Sequence, residues 1–204
     1  MRLYFARHGE SEANVLQVIS NRGLQHPLTP RGRAQAAALA AHLQACGISG
    51  IYSSPLLRGV QTAEILSERL GVGFQITDAL REYDCGVLEG TTGAETWAAF
   101  WALRDDWRRG RWERRIEGGE SFLDIQARFT PFVQALIESA AARDDNMVLI
   151  GHGGLYTSML PLVLVNIDAG FPDHRPFPNT GYVLAENRPE GLVCLEWCGA
   201  RVAF

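Results

Sequence analysis

A chain of 204 residues that is 47% hydrophobic and 21% charged is long and apolar enough to bury a substantial core. It reads as one domain over 1–204 with an elaboration at 91–117, not as a disordered segment. The net charge of −4 and the pI near 5.7 lack the basic face of a nucleic-acid binder, and no run of ~18 apolar residues offers a membrane span. A strand begins at Arg2 with no basic, then apolar, leader before it, so a cytoplasmic location is expected. All nineteen basic residues are arginines, so arginine in place of lysine says nothing by itself, and only position is informative.

In chain order, Leu3-Tyr4-Phe5-Ala6 reads as a short buried strand that runs into Arg7-His8-Gly9. Thr29-Pro30 supplies an N-cap and a first-turn proline, and Ala36, Leu39, Ala40 and Leu43 keep helical spacing, which predicts a helix over about 30–46. Ile51-Tyr52-Ser53 is a second strand. Ser54-Pro55 repeats the cap signal and predicts a helix from Pro55 whose apolar stripe is Val60, Ala63, Leu66 and Leu70. Phe74 to Thr77 alternates as a strand. Ser121 and Asp124 resemble a capping box ahead of a helix bearing Ile125, Phe129, Val133 and Leu136, with a kink expected at Pro131. Met147 to Ile150 is a further strand, followed by a helix over about 154–166 that Pro161 interrupts. Gly181–Leu184 and Leu192–Trp197 flank Arg188-Pro189-Glu190-Gly191 as a β-hairpin. Strands that alternate with helices predict an α/β fold whose mostly parallel sheet is covered on both faces and has an antiparallel C-terminal edge.

Ligands of such sheets bind beyond the carboxyl ends of the strands, where His8 and His152 both stand. Arg7 follows the first strand, and Arg58 lies in the first turn of the helix that begins at Pro55. Two imidazoles and two guanidiniums suit a tetrahedral dianion, because arginine offers paired donors in a fixed fork. Asn14 and the Ser20-Asn21-Arg22-Gly23 turn add neutral donors, and Gly153 allows close backbone approach to an oxygen.

Three segments then align with a known pattern: Arg7-His8-Gly9-Glu10-Ser11 with Asn14, Leu28-Thr29-Pro30 with Gly32, and Ser53-Ser54-Pro55-Leu56 with Arg58 and Gln61-Thr62-Ala63. Leu80-Arg81-Glu82-Tyr83 with Gly86 and Leu88-Glu89-Gly90, Gly118-Gly119-Glu120-Ser121 and Gly151-His152-Gly153-Gly154 continue it in order. From residue 3 to about 155 the chain resembles the histidine phosphatase, or phosphoglycerate mutase-like, family. The resemblance implies a doubly wound three-layer α/β/α sandwich and phosphoryl transfer through a phosphohistidine. It makes His8 the nucleophile, Arg7 and Arg58 the phosphate clamp, His152 the second pocket histidine and Glu82 the proton donor. His152, if protonated, would add positive charge to the clamp. Arg7, Asn14, Ser20, Arg58, His152 and Gly153 are the expected phosphate and substrate contacts.

Zinc is the rival use of two histidines, but no compact spacing supplies a third ligand, and neither metal nor cofactor is expected. The scattered Cys46, Cys85, Cys194 and Cys198 read as free thiols. His26 stands where the family often has an acidic residue and is read either as near the pocket rim or as exposed at the surface, the latter favoured. His42 and His174 need no function. In the segment 91–117, Trp97, Phe100, Trp101, Trp107 and Trp112 interleave with six arginines. It reads either as a cap whose side chains meet the leaving group or as ordinary packing with solvated charges. Gly118-Gly119-Glu120-Ser121 favours the phosphatase branch, which makes the chain a metal-independent phosphomonoester hydrolase. Arg114-Arg115 keeps a cofactor-dependent phosphoglycerate mutase open, since paired arginines suit a carboxylate, and a non-catalytic phospho-ligand module is the third reading. The expected partner is a small phosphorylated metabolite, without nucleic acid or membrane, and a homodimer is left open.

Overall fold

Along strand β1 (Arg2–Arg7) successive side chains point to opposite faces, so Leu3 and Phe5 enter one apolar layer and Tyr4 and Ala6 another, all of them buried. A strand buried on both sides must be central, and the computed structural model, which describes residues 1–141 and 145–203, places it there. The elements that follow are α1 (Glu12–Leu16), α2 (Pro30–Leu43), β2 (Ile48–Ser53), α3 (Leu57–Leu70), β3 (Phe74–Ile76) and α4 (Ala94–Arg108). Then come α5 (Phe122–Ala141), β4 (Asn146–Gly151), α6 (Gly153–Met159), β5 (Tyr182–Arg188), β6 (Gly191–Trp197) and β7 (Ala200–Arg201). One seven-stranded sheet has the order β3-β2-β4-β1-β5-β6-β7. β3, β2, β4 and β1 are parallel, and β5, β6 and β7 form the antiparallel edge.

The sheet is a mixed one with helices on both faces. α2 and α3 pack Ala36, Leu39, Ala40, Leu43, Ala63 and Leu66 against one face, while α5 and α6 cover the other with Ile125, Phe129, Val133, Leu155, Tyr156 and Met159. α4 joins the second layer through Leu103 and Trp107. Among the described residues no helix is long and apolar enough to cross a membrane.

The sequence placed most elements correctly and a few boundaries wrongly. The helix expected over 154–166 ends at Met159 and passes into a single 3-10 turn at Leu160–Leu162. Pro161 has no N–H for the carbonyl of Thr157 and its ring would press on it, so the α-helix stops. The helix expected from Pro55 starts at Leu57, because Ser54 Oγ accepts the Leu56 N–H at 3.2 Å within the approach turn. The expected helix over 30–46 is α2 plus a 3-10 turn at Gln44–Cys46. The capping box of α5 is formed, with Ser121 N–H donating to Asp124 Oδ2 and Asp124 N–H to Ser121 Oγ, and the helix runs on through Pro131. α1 and β7, too short to show a period, were not anticipated.

The register of the central strands sets up the site. Arg7 pairs with Gly151 and Ser53 with Ile150, so His8, His152 and Ser54 are the next residues beyond three adjacent strands. The His8 N–H donates to Gly151 O at 3.1 Å and the Ser54 N–H to Ile150 O at 2.9 Å, which continues the ladder one step past each strand. β1 leads toward α2 on one face and β4 toward α6 on the other, so the connections diverge and leave a crevice.

Candidate active site

A cavity of about 300 Å³ occupies that crevice. Arg7, His8, Asn14, Ser20, Arg58, Glu82, His152 and Gly153, drawn from six separate segments of the sequence, all line it. The two imidazoles face each other with ring centroids 5.0 Å apart.

The hydrogen bonds of His8 fix its chemistry. Nδ1 lies 2.6 Å from Gly9 O, which can only accept, and Nε2 lies 3.1 Å from Arg58 Nε, which can only donate. The ring is therefore neutral, with the proton on Nδ1 and the lone pair on Nε2. Burial, and then Arg58 and Arg7, hold the His8 pKa well below the ordinary imidazole value, against a smaller opposing contribution from Gly9.

Two guanidiniums stand beside it on fixed supports. Arg7 Nη1 donates to Phe177 O at 2.7 Å, and Arg58 Nη1 donates to Ser20 O at 2.7 Å. Arg58 is buried, and desolvation first of all lowers its pKa to about 10, so it stays charged at neutral pH. Arg7 Nε is buried without a hydrogen-bond partner among the described residues, and so is His152 Nδ1. Ser54 Oγ accepts from the Leu56 N–H and lies 2.7 Å from His152 Nε2, so His152 is held through Nε2 and its Nδ1 is unspent. Two orphaned nitrogens in one cavity wall match the oxygens of an anion. Of the two protonation states left open for His152, the neutral one is favoured: burial, then Arg58, His8 and Arg7, depress its pKa well below the ordinary imidazole value.

Glu82 is half-buried, and its carboxylate accepts from the Gly154 N–H at 2.9 Å and the Tyr83 N–H at 3.1 Å. Desolvation raises its pKa and outweighs those two donors, Arg58 and Arg104. The backbone must come close here, and the requirement falls on Gly154, not on Gly153. A Cβ on Gly154 would lie 2.8 Å from the Glu82 oxygens and 2.7 Å from the Tyr83 ring, whereas one on Gly153 would meet Arg7 at an ordinary 3.5 Å. The Gly118-Gly119-Glu120-Ser121 motif supports the same loop from beneath: Glu120 accepts from the Asp84 N–H at 2.8 Å and pairs with Arg81 and Arg128.

Asn14 Oδ1 collects donors from Ser11 and Asn179, which orients the amide at the rim. Ser20 Oγ lies 2.8 Å from His26 Nδ1, so the half-buried His26 fits the rim reading and not the exposed one that was favoured. His42 and His174 lie outside the cavity. Among the described residues no three His, Cys, Asp or Glu side chains converge as a metal cradle.

Some residues of the site were missed. Phe177, which lines the cavity, and Asn179, which supports it, come from an irregular segment, where Asn179 Nδ2 donates to His8 O and the Thr180 N–H to Arg7 O. Thr157 and Arg104 meet across the cavity mouth at 2.7 Å. The aromatic side chains of 91–117 divide between the cavity and the core. Trp97, Phe100 and Trp101 line the cavity, while Trp107 is core and Trp112 stacks on Phe122. Arg114 and Arg115, the pair that kept a mutase open, lie outside the cavity and pair with Asp106 and Asp124.

Known proteins are similar to this chain in sequence and in fold. Over 208 aligned positions the chain is 36% identical to glucosyl-3-phosphoglycerate phosphatase of Mycolicibacterium vanbaalenii, covering 96% of this chain and 91% of that one. It is 34% identical to a probable phosphoglycerate mutase of Proteus mirabilis over 80% of this chain and 75% of the other. A solved mycobacterial glucosyl-3-phosphoglycerate phosphatase in complex with VO3 superposes with a TM-score of 0.84 at 29% identity, covering 98% of this chain and 99% of that one. A family model for the histidine phosphatase superfamily (branch 1) matches residues 3–199, and the chain belongs to that superfamily.

Proposed function

We propose that the chain is a phosphomonoester hydrolase that works through a phosphohistidine on His8 and needs no metal ion. The observation that carries this reading is the state of His8: neutral, its Nδ1–H held by the Gly9 carbonyl and its Nε2 lone pair turned to the Arg58 guanidinium, in a cavity that Arg7 also lines. When a phosphate dianion enters, Arg58 exchanges its contact with Nε2 for a phosphate oxygen, and Arg7 Nε and His152 Nδ1 take others. The N–P bond then forms as the P–O bond to the alcohol breaks. Charge spread over the equatorial oxygens of a loose transition state is met by donors already in place. Glu82, whose pKa is raised by desolvation, gives its proton to the departing alkoxide. In the second half, water attacks phosphorus, Glu82 takes the water proton, the N–P bond breaks and inorganic phosphate leaves. His8, Glu82, His152, Arg7 and Arg58 are the residues assigned to this chemistry, with Asn14, Ser20 and Gly153 at the substrate.

A relative solved with VO3, a trigonal oxyanion of the shape of a metaphosphate-like transition state, supports the reading. The segment 91–117 is read as a cap within one domain, the substrate as a small phosphorylated metabolite and the location as cytoplasmic. A phosphoglycerate mutase is the second reading, because one relative carries that name. Phosphate release from a panel of phosphomonoesters, run beside interconversion of the phosphoglycerates with bisphosphoglycerate present, separates the two. Release with little interconversion is expected, and rapid interconversion with negligible release refutes the hydrolase. The nucleophile has its own test: His8→Ala abolishes acid-labile label incorporation from substrate, and persistent labelling would move the nucleophile elsewhere. Chelator treatment leaves turnover intact, whereas a loss restored by zinc would refute metal independence.

A further inference from the structure

Just before β5 the chain passes behind the nucleophile and grips it repeatedly. The Arg7 N–H donates to Gly181 O at 2.9 Å, and the Thr180 N–H donates to Arg7 O at 3.1 Å. Asn179 Nδ2 donates to His8 O at 3.1 Å and to Asn14 Oδ1 at 3.2 Å. Thr180 is β-branched yet left-handed at φ 58°, a conformation that such a residue keeps only where its surroundings impose it. Strain held beside a nucleophile points to a demand on position.

Backbone partners settle which way both amides face. The Ser11 N–H can only donate, so the Asn14 atom 3.1 Å from it is Oδ1, and the His8 carbonyl can only accept, so its Asn179 partner is Nδ2. The Ser11 hydroxyl, at 3.2 Å, joins the donors on Asn14 Oδ1. That oxygen is fully engaged, whereas Asn14 Nδ2 has no partner among the described residues, and Asn14 lines the cavity. Its amino group is therefore the end left for an anion. Ser11 steadies Asn14 only within the turn they share. Among the described residues Asn179 is the one side chain that bonds both the nucleophile's backbone and the Asn14 amide.

On the phosphohistidine reading given above, we propose that Asn179 is a positioning residue, which fixes the Asn14 amide relative to His8 so that Asn14 Nδ2 donates to a phosphate oxygen while His8 faces phosphorus. Asn179 does not itself line the cavity, so it acts on the phosphoryl group only through these two residues.

Calorimetry with inorganic phosphate reads this arrangement without turnover. Asn14→Ala should weaken phosphate binding about 10- to 100-fold, the range for a lost hydrogen bond to a charged group. Asn179→Ala should weaken it by roughly 3- to 10-fold, because the donor is kept but no longer aimed. In the Asn14→Ala background the Asn179 substitution should cost less than about twofold, since the group it positions is gone. In a Ser20→Ala background, where Asn14 is intact, its full factor should persist. Equal factors in both backgrounds would overturn the proposal, because Asn179 would then serve the fold at large. So would unchanged binding in Asn179→Ala. Should alanine unfold the chain, Asn179→Ser, which keeps a single hydroxyl donor, goes through the same cycle with the same expected outcomes. Absence of phosphate release by the parent would sink the hydrolase reading alone, whereas the cycle, run on binding, decides the role of Asn179 separately.

Discussion

The floor and the wall of the cavity are built by different rules. The floor comes from residues just beyond β1, β2 and β4, where strand register dictates position: Arg7 opposite Gly151 and Ser53 opposite Ile150 leave little freedom to His8, Ser54 and His152. Its polar groups are buried and each is held by a backbone or hydroxyl partner. The wall comes from one helix face, which is half open to solvent and held by aromatic contacts, Tyr83 on Phe100 and Trp97 on Phe100 among them. A floor of this kind fixes the reaction, whereas a wall of this kind is free to vary with the leaving group. Substitutions in the floor should accordingly cost the same on every ester, and substitutions in the wall should depend on which ester is used.

The largest expected loss that tests this contrast is at Glu82. Glu82→Gln removes the proton donor and should lower kcat roughly 10²- to 10⁴-fold on alkyl esters of any shape. Because desolvation raises the Glu82 pKa, parent kcat/KM should fall as pH rises through that raised value, and the variant should lack this limb. A loss confined to one ester would break the contrast. The next effect is on stability. His8 and His152 have folded-state pKa values depressed below 6.5, so below that pH the unfolded chain binds protons that the folded chain refuses. Each then destabilises the fold by about 1.4 kcal/mol per pH unit until its own folded-state value is reached. Glu82, raised, acts in the opposite sense as one group against two. Thermal melts between about pH 7 and 5.5 should show Tm falling with pH, and less steeply in His152→Gln. A flat Tm would show that the floor histidines titrate normally.

The same contrast accounts for what the sequence disclosed. Strands and long helices declared themselves through period and caps, and the floor through short motifs at their ends, because a residue next to a strand terminus has only one place to go. For His26 the sequence favoured exposure over the rim, because its contact with Ser20 arises from a left-handed turn at φ 57°, which no pattern announces. Phe177, Asn179 and Thr157 stayed hidden for a related reason: their roles depend on backbone oxygens and on contacts made across the fold. The wall was legible only as composition. Tryptophans that line the cavity and tryptophans that pack the core have the same local sequence signature, and only the helix phase, read against the site, separates Trp97 and Trp101 from Trp107.

Smaller effects sharpen the wall. Trp101 is 50% exposed and lies under Arg104, so Trp101→Ala forfeits a cation–π contact of about 0.5–1 kcal/mol and should lower kcat/KM up to about fivefold for esters that reach the wall. Inorganic phosphate, which does not reach it, should inhibit the variant and the parent alike, and a parallel loss of phosphate affinity would show that the wall also shapes the floor.

The smallest effect carries the most weight for the choice of reaction. Arg115 is half exposed and pairs at 3.1 Å with Asp124, itself 44% exposed, at the N-terminus of α5. An exposed pair of this kind contributes no more than about 0.5 kcal/mol, and Asp124 retains its capping contacts with Ser121 when the arginine is gone. Arg115→Ala should therefore leave the melting transition nearly in place and change kcat/KM by less than about twofold on every ester, the phosphoglycerates included. A large loss on phosphoglycerate alone would mean that Arg115 swings into the cavity when substrate binds. The mutase reading would then regain the carboxylate clamp that the unliganded geometry denies it.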